Sequence, residues 1–299
     1  MLLGCLSLRA QTLFWDINGK TAGAGGTSPA GAWNTTNGNK VWTTDSTGAS
    51  TGVIWTTGAD AVFSASNDAT GAYIVTVSGT QNVSSITVQE GRPTLASGVI
   101  NFSDTSPDIN VAAGSILTFG SALTSTGSNG LNLNTTAGNT GTTVFSANTS
   151  LTGSVNLAGG TLSLSSTSYT FGTLNITGNS TIDFAGSTTL SVTNLAISAG
   201  VTLTIQNWAQ AADFFYATNW TGATPDLYNN GNTAPMNQIV FTGNTASRTG
   251  WDSYDHQIRP NVPEPRTYGA LLLVALTGLF TWRRLVRRSA SHAGIPPGF

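Results

Sequence analysis

"LTGSVNLAGGTLSLSSTSYTFGTLNITGNSTIDFAGSTTLSVTNLAISAGVTLTI", residues 151–205, carries the pattern on which the fold turns. Apolar residues two apart recur as Val155/Leu157, Leu174/Ile176 and Leu195/Ile197, with starts 19 and 21 residues apart. A second series, Leu162/Leu164, Ile182/Phe184 and Leu203/Ile205, keeps step at spacings of 20 and 21. Each pair reads as a short strand with alternate side chains on one face. Gly159, Gly160, Gly178 and Gly200 lie between the two series, where the chain must turn. Ile109/Val111, followed by Ile116 and Phe119, reads as an earlier copy.

A period near 20 residues built from short strands implies stacked coils, each burying its apolar face against its neighbours. Parallel ladders between coils then satisfy the backbone and leave Ser, Thr and Asn on the outer face. An antiparallel β-sandwich also has short strands at regular spacing. The two series keeping step with each other favour a parallel β-solenoid. On that register Leu162, Ile182 and Leu203 form one buried column, and Val155, Leu174 and Leu195 another.

Composition agrees with an all-β chain rich in turns. Charged residues are 8% of the 299, against roughly a quarter in ordinary globular proteins. Disorder usually combines low hydrophobicity with high net charge, whereas this chain is 39% hydrophobic with a net charge of −2. Tryptophan divides the chain. Trp15, Trp33, Trp42 and Trp55 lie near the start, Trp208, Trp220, Trp251 and Trp282 near the end, and none between. Between residues 110 and 212 the only charged residue is Asp183. The expected organisation is an N-terminal β or capping region over 11–97, solenoid repeats over 98–207, and a C-terminal cap and linker over 208–261. Exposed solenoid ends invite edge pairing, so Trp-rich flanks are expected to act as caps.

A family resemblance enters at the repeats. "NTSLTGSVNLAGGTLSLSS", residues 148–166, resembles the autotransporter-associated β-strand repeat, with its Thr-Gly step, strand, Gly turn and Thr-Leu strand. "FWDINGKTAGAGGTSPAGAWNTTNGNKVWTT" and "TTGADAVFSASND" resemble the N-terminal regions that accompany such repeats in exported bacterial proteins. This resemblance spans roughly residues 13–205.

The two termini point to export. "MLLGCLSLRAQ" reads as the remnant of a signal peptide over residues 1–10, with the mature chain starting near Gln11. Cys5 also fits a lipoprotein-type box, but nothing apolar precedes it. As the single cysteine it excludes an internal disulfide framework and a Cys-based metal site. At the other end, "VPEPRTYGALLLVALTGLFTWRRLVRR", residues 262–288, joins a Pro-Glu-Pro triplet, an uninterrupted apolar run and four arginines.

That tail resembles the PEP-CTERM sorting signal, whose three parts occur here in order. Pro263, Glu264 and Pro265 match the motif, residues 268–282 the transmembrane segment, and Arg283, Arg284, Arg287 and Arg288 the basic cluster. A short tail, 289–299, follows where family members usually stop. The physical reading stands beside the resemblance. Residues 268–282 make a helix of ~22 Å at ~1.5 Å per residue, short of the ~20 residues a bilayer usually needs. Arginine snorkelling and local thinning close that gap. Tyr268 and Trp282 suit the two interfaces, and the arginines hold the C-terminus inside by the positive-inside rule. The prolines keep the segment before the span extended and accessible. The resemblance implies a membrane-embedded processing enzyme, an exosortase, with this chain as its substrate.

Catalytic and ligand-binding constellations are sparse. His256 beside Asp252 and Asp255 reads as a solvated loop, and His292 lies beyond the apolar run. Carbohydrate-cleaving β-helices need several carboxylates, or a basic residue, on one coil face, and Asp104, Asp108 and Asp183 are dispersed in sequence. Asp45, Asp60 and Asp68 suit calcium by type, but no ligand spacing supports a site. "GAGG" at residues 23–26 lacks the helix of a phosphate loop. The only basic cluster adjoins the apolar run, so no nucleic-acid partner is expected. No cofactor or metal is expected either. The sequence therefore reads as an exported, membrane-sorted, non-enzymatic surface or extracellular-matrix protein. Its expected partners are an exosortase, the membrane, and exopolysaccharide or like proteins at the cell surface. A polysaccharide-acting β-helix enzyme and a self-associating adhesin are the alternatives.

Overall fold

The repeat spacing builds two facing ladders of parallel strands. A computed structural model describes residues 10–125, 130–222, 225, 233–243 and 249–260, and among these the regular structure is all β apart from one 3-10 turn at Met236–Gln238. The described residues all fall within one compact unit. The first sheet stacks Ala59–Phe63, Thr80–Val88, Asp108–Val111, Leu131–Leu133, Thr149–Leu157, Ser168–Ile176, Thr189–Ile197 and Phe214–Trp220, each parallel to the next. The second stacks Ala72–Val77, Arg92–Ala96, Ile116–Phe119, Thr142–Phe145, Gly160–Leu164, Ser180–Phe184, Leu203–Gln206 and Ile239–Phe241, again parallel. The chain alternates between the sheets, so it is a parallel β-solenoid of about seven turns. Its coils begin well before residue 98: Thr12–Trp15 already pairs in parallel with Ala59–Phe63.

The first long repeat strand carries a bulge. The pairing of Thr149–Leu157 with Ser168–Ile176 slips between Leu151 and Ser154. Earlier coils divide the same path into two strands, Val99–Phe102 and Asp108–Val111, which pair with successive parts of Thr80–Val88. Corners this tight leave no room for a Cβ at some positions. One at Gly178 would lie 2.1 Å from the Ala158 carbonyl oxygen, and one at Gly160, where φ is +70°, would lie 2.3 Å from Asn134 Nδ2.

Alternation sends every second side chain inward, and these form buried columns across the coils. Leu131, Val155, Leu174 and Leu195 stack in register, as expected of the last three. All four are 2% exposed or less. The other expected column needs a correction. Leu162 sits on Ile182 as expected, but Ile182 then meets Ile205, and Leu203 lies over Ser180. The turn from Ile197 to Leu203 is two residues longer than its counterpart from Ile176 to Ser180. Gln238 holds this longer turn, donating from Nε2 to the carbonyls of Ser198 at 2.7 Å and Val201 at 3.0 Å. Because the side-chain period is two, a two-residue shift moves the column without turning Leu203 outward. Leu203 stays fully buried.

Aromatic residues and antiparallel strands close the ends. Trp15, Trp33, Trp42, Trp55 and Phe63 form one buried cluster, with ring centroids 4.7 to 6.0 Å apart in the pairs that touch. Several of these pairs are edge-to-face, the arrangement that the ring quadrupole favours. Trp42–Thr43 runs antiparallel to Thr12–Trp15 at the first end, and Gln257–Pro260 runs antiparallel to Phe214–Trp220 at the other. Both break the parallel template that a further chain would need to extend the first sheet.

Two substitutions test the packing by thermal or chemical unfolding. Ile182→Asp places an unpaired charge in a fully buried column and is expected to cost about 4 kcal/mol or more. Thr143 stands between Leu117 and Leu162 in the same stack, fully buried with its hydroxyl unpartnered. Thr143→Val keeps the shape and removes that hydroxyl, so it is expected to stabilise the protein by about 1 kcal/mol.

Candidate functional site

The outer face of the first sheet carries a polar ladder that follows directly from the register. Asp60 pairs with Ser85, whose hydroxyl donates to Asp60 Oδ1 at 2.7 Å. One residue further along the neighbouring coils, Ile86 pairs with Ile109, which brings Asp108 in line with Ser85. Asn132 Nδ2 donates to Asp108 Oδ1 at 3.0 Å, Asn156 Nδ2 to Asn132 Oδ1 at 2.5 Å, and Asn175 Nδ2 to Asn156 Oδ1 at 2.6 Å. Asn132 and Asn156 thus each donate to the coil before and accept from the coil after, and Asn175 ends the chain, since Ala196 stands in line with it on the next coil. Such a chain fixes the side chains and reinforces the register.

At the N-terminal end of this ladder the sheet opens into a groove of about 340 Å³ lined by Asp60, Ser84, Ser85, Asp104, Ser106 and Asp108. The Ser84 hydroxyl donates to Asp104 Oδ2 at 2.9 Å, and this bond holds the Asp104 carboxyl below its ordinary range against the opposing cost of partial burial. Sequence reasoning did not join these three aspartates, because residues 44 and 48 apart become neighbours only once the coil lengths are known. Asp183 is elsewhere. It lies on the second sheet, where it accepts from Ser163 at 2.9 Å and Asn207 at 2.6 Å. Three carboxylates in an open groove can bind water, a cation or sugar hydroxyls. Among the described residues, no group of three His, Cys, Asp or Glu side chains converges closely enough to hold a metal ion by itself.

At the C-terminal end His256 and its acidic neighbours form no catalytic pair. Asp252 and Asp255 turn to Arg259, at 3.0 and 3.6 Å, while the His256 ring stacks on Trp251 at 5.9 Å. The outward Phe214 and Tyr216 rings lie parallel, 6.0 Å apart, on the last long strand.

The residues expected to direct sorting, Pro263, Glu264, Pro265, Tyr268, Trp282, Arg283, Arg284, Arg287 and Arg288, lie outside the described residues, as do residues 1–9. Among the described residues, no helix is long and apolar enough to cross a membrane. No family model, curated protein or solved structure matches the chain.

The ladder makes a prediction of its own. Asn156→Asp replaces a donor by a second acceptor facing Asn132 Oδ1. It is expected to lower unfolding stability by about 1 kcal/mol at neutral pH, while Asn156→Ser, which keeps a donor, is expected to lose less.

Proposed function

We propose that this chain is an exported structural protein of the cell surface or extracellular matrix, sorted by an exosortase-type enzyme and without catalytic activity. The observation that carries the reading is the ordered tail: the Pro263-Glu264-Pro265 triplet, the apolar run 268–282, read as one C-terminal transmembrane helix, and the four arginines after it. A solenoid whose backbone is satisfied coil to coil supports it, because such a body holds its coils together without disulfides. The outer faces support it too. The second sheet presents Thr142, Thr161, Thr181 and Thr204 in one outward column, and the first presents the Asn ladder. Uncharged hydroxyl and amide rows suit contact with hydrated polysaccharide or with like chains.

One observation favours a second reading. The groove that gathers Asp60, Asp104 and Asp108 is the kind of acidic cleft a polysaccharide-acting β-helix enzyme would need. A general acid–base pair there would have to lose activity on Asp104→Asn, which gives the alternative a direct assay on polysaccharide substrates.

The sorting reading separates three physical jobs, so three sets of variants are expected to fail differently. Neutralising Arg283, Arg284, Arg287 and Arg288 removes the charge bias that fixes orientation, and the protein is expected to lose its fixed topology in protease-protection assays. Replacing Pro263, Glu264 and Pro265 with Ala leaves the apolar run intact. In a host with the matching exosortase it is expected to leave an uncleaved membrane form of higher mass. Identical mass and fractionation of the triple-Ala variant and the parent would leave only a tail anchor.

A further inference from the structure

The first end of the solenoid contains two buried oxygen acceptors, on Asp16 and Asn18, that no group among the described residues satisfies. Asp16 is fully buried, directly after Trp15 of the indole cluster. Its Oδ1 accepts from the backbone N–H groups of Asn18 at 2.9 Å and Gly19 at 3.1 Å. Its Oδ2 is buried and has no donor. Two residues on, Asn18 Oδ1 is also buried without a donor. Buried oxygens of this kind cost free energy unless something positive or hydrogen-bearing meets them.

The surroundings favour a positive charge. The loop from Asp16 is closed by the Ile17 N–H donating to the Ala24 carbonyl at 3.0 Å. Two further loops are pinned against it. Gly23 N–H donates to the Thr47 carbonyl at 2.9 Å, and Asp68 accepts from Ala24 N–H at 2.7 Å and Gly26 N–H at 2.8 Å. The fit excludes side chains, since a Cβ at Gly48 would lie 2.3 Å from the Gly23 carbonyl oxygen. This packing brings Asp45 and Asp68 close enough to Asp16 that their charges add to burial in raising its carboxyl, against the pull of the two backbone N–H groups. Asp45 and Asp68 already use their oxygens on Thr47, Ser50 and the loop N–H groups. Among the described residues no Lys or Arg pairs with any of the three.

We propose that Asp16 Oδ2 and Asn18 Oδ1 are ligands of a calcium ion that locks the N-terminal cap. A carboxylate and an amide oxygen at positions one and three of a glycine-containing loop are the opening ligands of a calcium loop. Asp45 and Asp68 supply field rather than coordination, and the remaining ligands are main-chain carbonyls and water. That donor set suits Ca²⁺, which accepts about six to eight oxygens in loose geometry, better than Mg²⁺, which demands a near-ideal octahedron. The ion would tie the loop to the indole cluster and so stabilise the first end of the described solenoid. The inference rests on the cap alone and is independent of how the chain is sorted or what it contacts.

The test uses the full chain freed of metal with a chelator. CaCl₂ is expected to raise the unfolding midpoint by several degrees, and MgCl₂ at the same concentration is not. Terbium is expected to luminesce on indole excitation, through transfer from the adjacent tryptophans, and Ca²⁺ is expected to displace it. Asn18→Ala is expected to weaken Ca²⁺ binding at least as much as the about tenfold loss typical of altering a supporting group. Asp16→Asn is expected to abolish the calcium shift, whereas Asp183→Asn, on the distant sheet, is expected to keep it. A midpoint insensitive to Ca²⁺ together with silent terbium would overturn the proposal. So would a calcium response unchanged in Asn18→Ala, or a protein stabilised by acidification but not by Ca²⁺, which would place a proton between the two oxygens.

Discussion

Every coil of this chain can satisfy its backbone only through the coils above and below it. A coil of some 20 residues has no internal sheet and no helix, so its N–H and C=O groups point along the stack, and its inward side chains meet their equivalents in the next coil. Register is therefore the constraint from which the rest follows. When Val155, Leu174 and Leu195 stack, Asn156 and Asn175 must stack too, because the inner and outer faces alternate along one strand. The dry columns and the amide ladder are two readings of the same pairing. The ends of such a stack lack a neighbour, and the chain spends its bulkiest apolar groups there. Trp15, Trp33, Trp42 and Trp55 fill one end, and Trp208 packs between Phe184 and Phe241 near the other.

Much of this was legible in the sequence where coil lengths differ little. The column of Val155, Leu174 and Leu195, read from spacings of 19 and 21, is the column in the fold. At Leu203 the reading slipped by one pair of residues, since hydrophobic pattern reports which face a residue occupies and not which of two inward neighbours it meets. Before residue 98 the coils were hidden for a related reason. Asp60, Ser85 and Asp108 form one outward row, but their spacings of 25 and 23 differ from the 19 to 21 of the later repeats. The acidic groove was missed with them. The unsatisfied Asp16 and Asn18 oxygens were beyond any spacing argument, since only burial reveals that their partners are absent.

The functional reading joins two kinds of warrant. The tail contributes chemistry written in sequence order: a Pro-Glu-Pro triplet, an apolar run and four arginines, to each of which the proposal gives a separate task. The body contributes a surface. Its rows of Thr and Asn repeat at the coil spacing and carry almost no charge, and the Asn row is held by side-chain hydrogen bonds before any partner arrives. A calcium lock at the first coil would suit the same setting, because free Ca²⁺ is far more abundant outside cells than inside. The sites of extracellular modules need only weak affinity, with Kd values on the order of 10⁻⁴ to 10⁻³ M.

If coils interact only with their neighbours, one of them can be removed. Excising residues 168–188 joins Thr167 to Thr189 and lets Val155 stack on Leu195 and Leu162 on Ile205, by the register that now relates each to the excised coil. The measurement is cooperative unfolding of this shortened chain followed by far-ultraviolet circular dichroism. A soluble β protein that still melts in one sharp transition, at a lower midpoint, is the result that the stacked-coil account predicts. A chain that loses its β signal or aggregates without a transition, as a closed sandwich deprived of internal strands would, contradicts it.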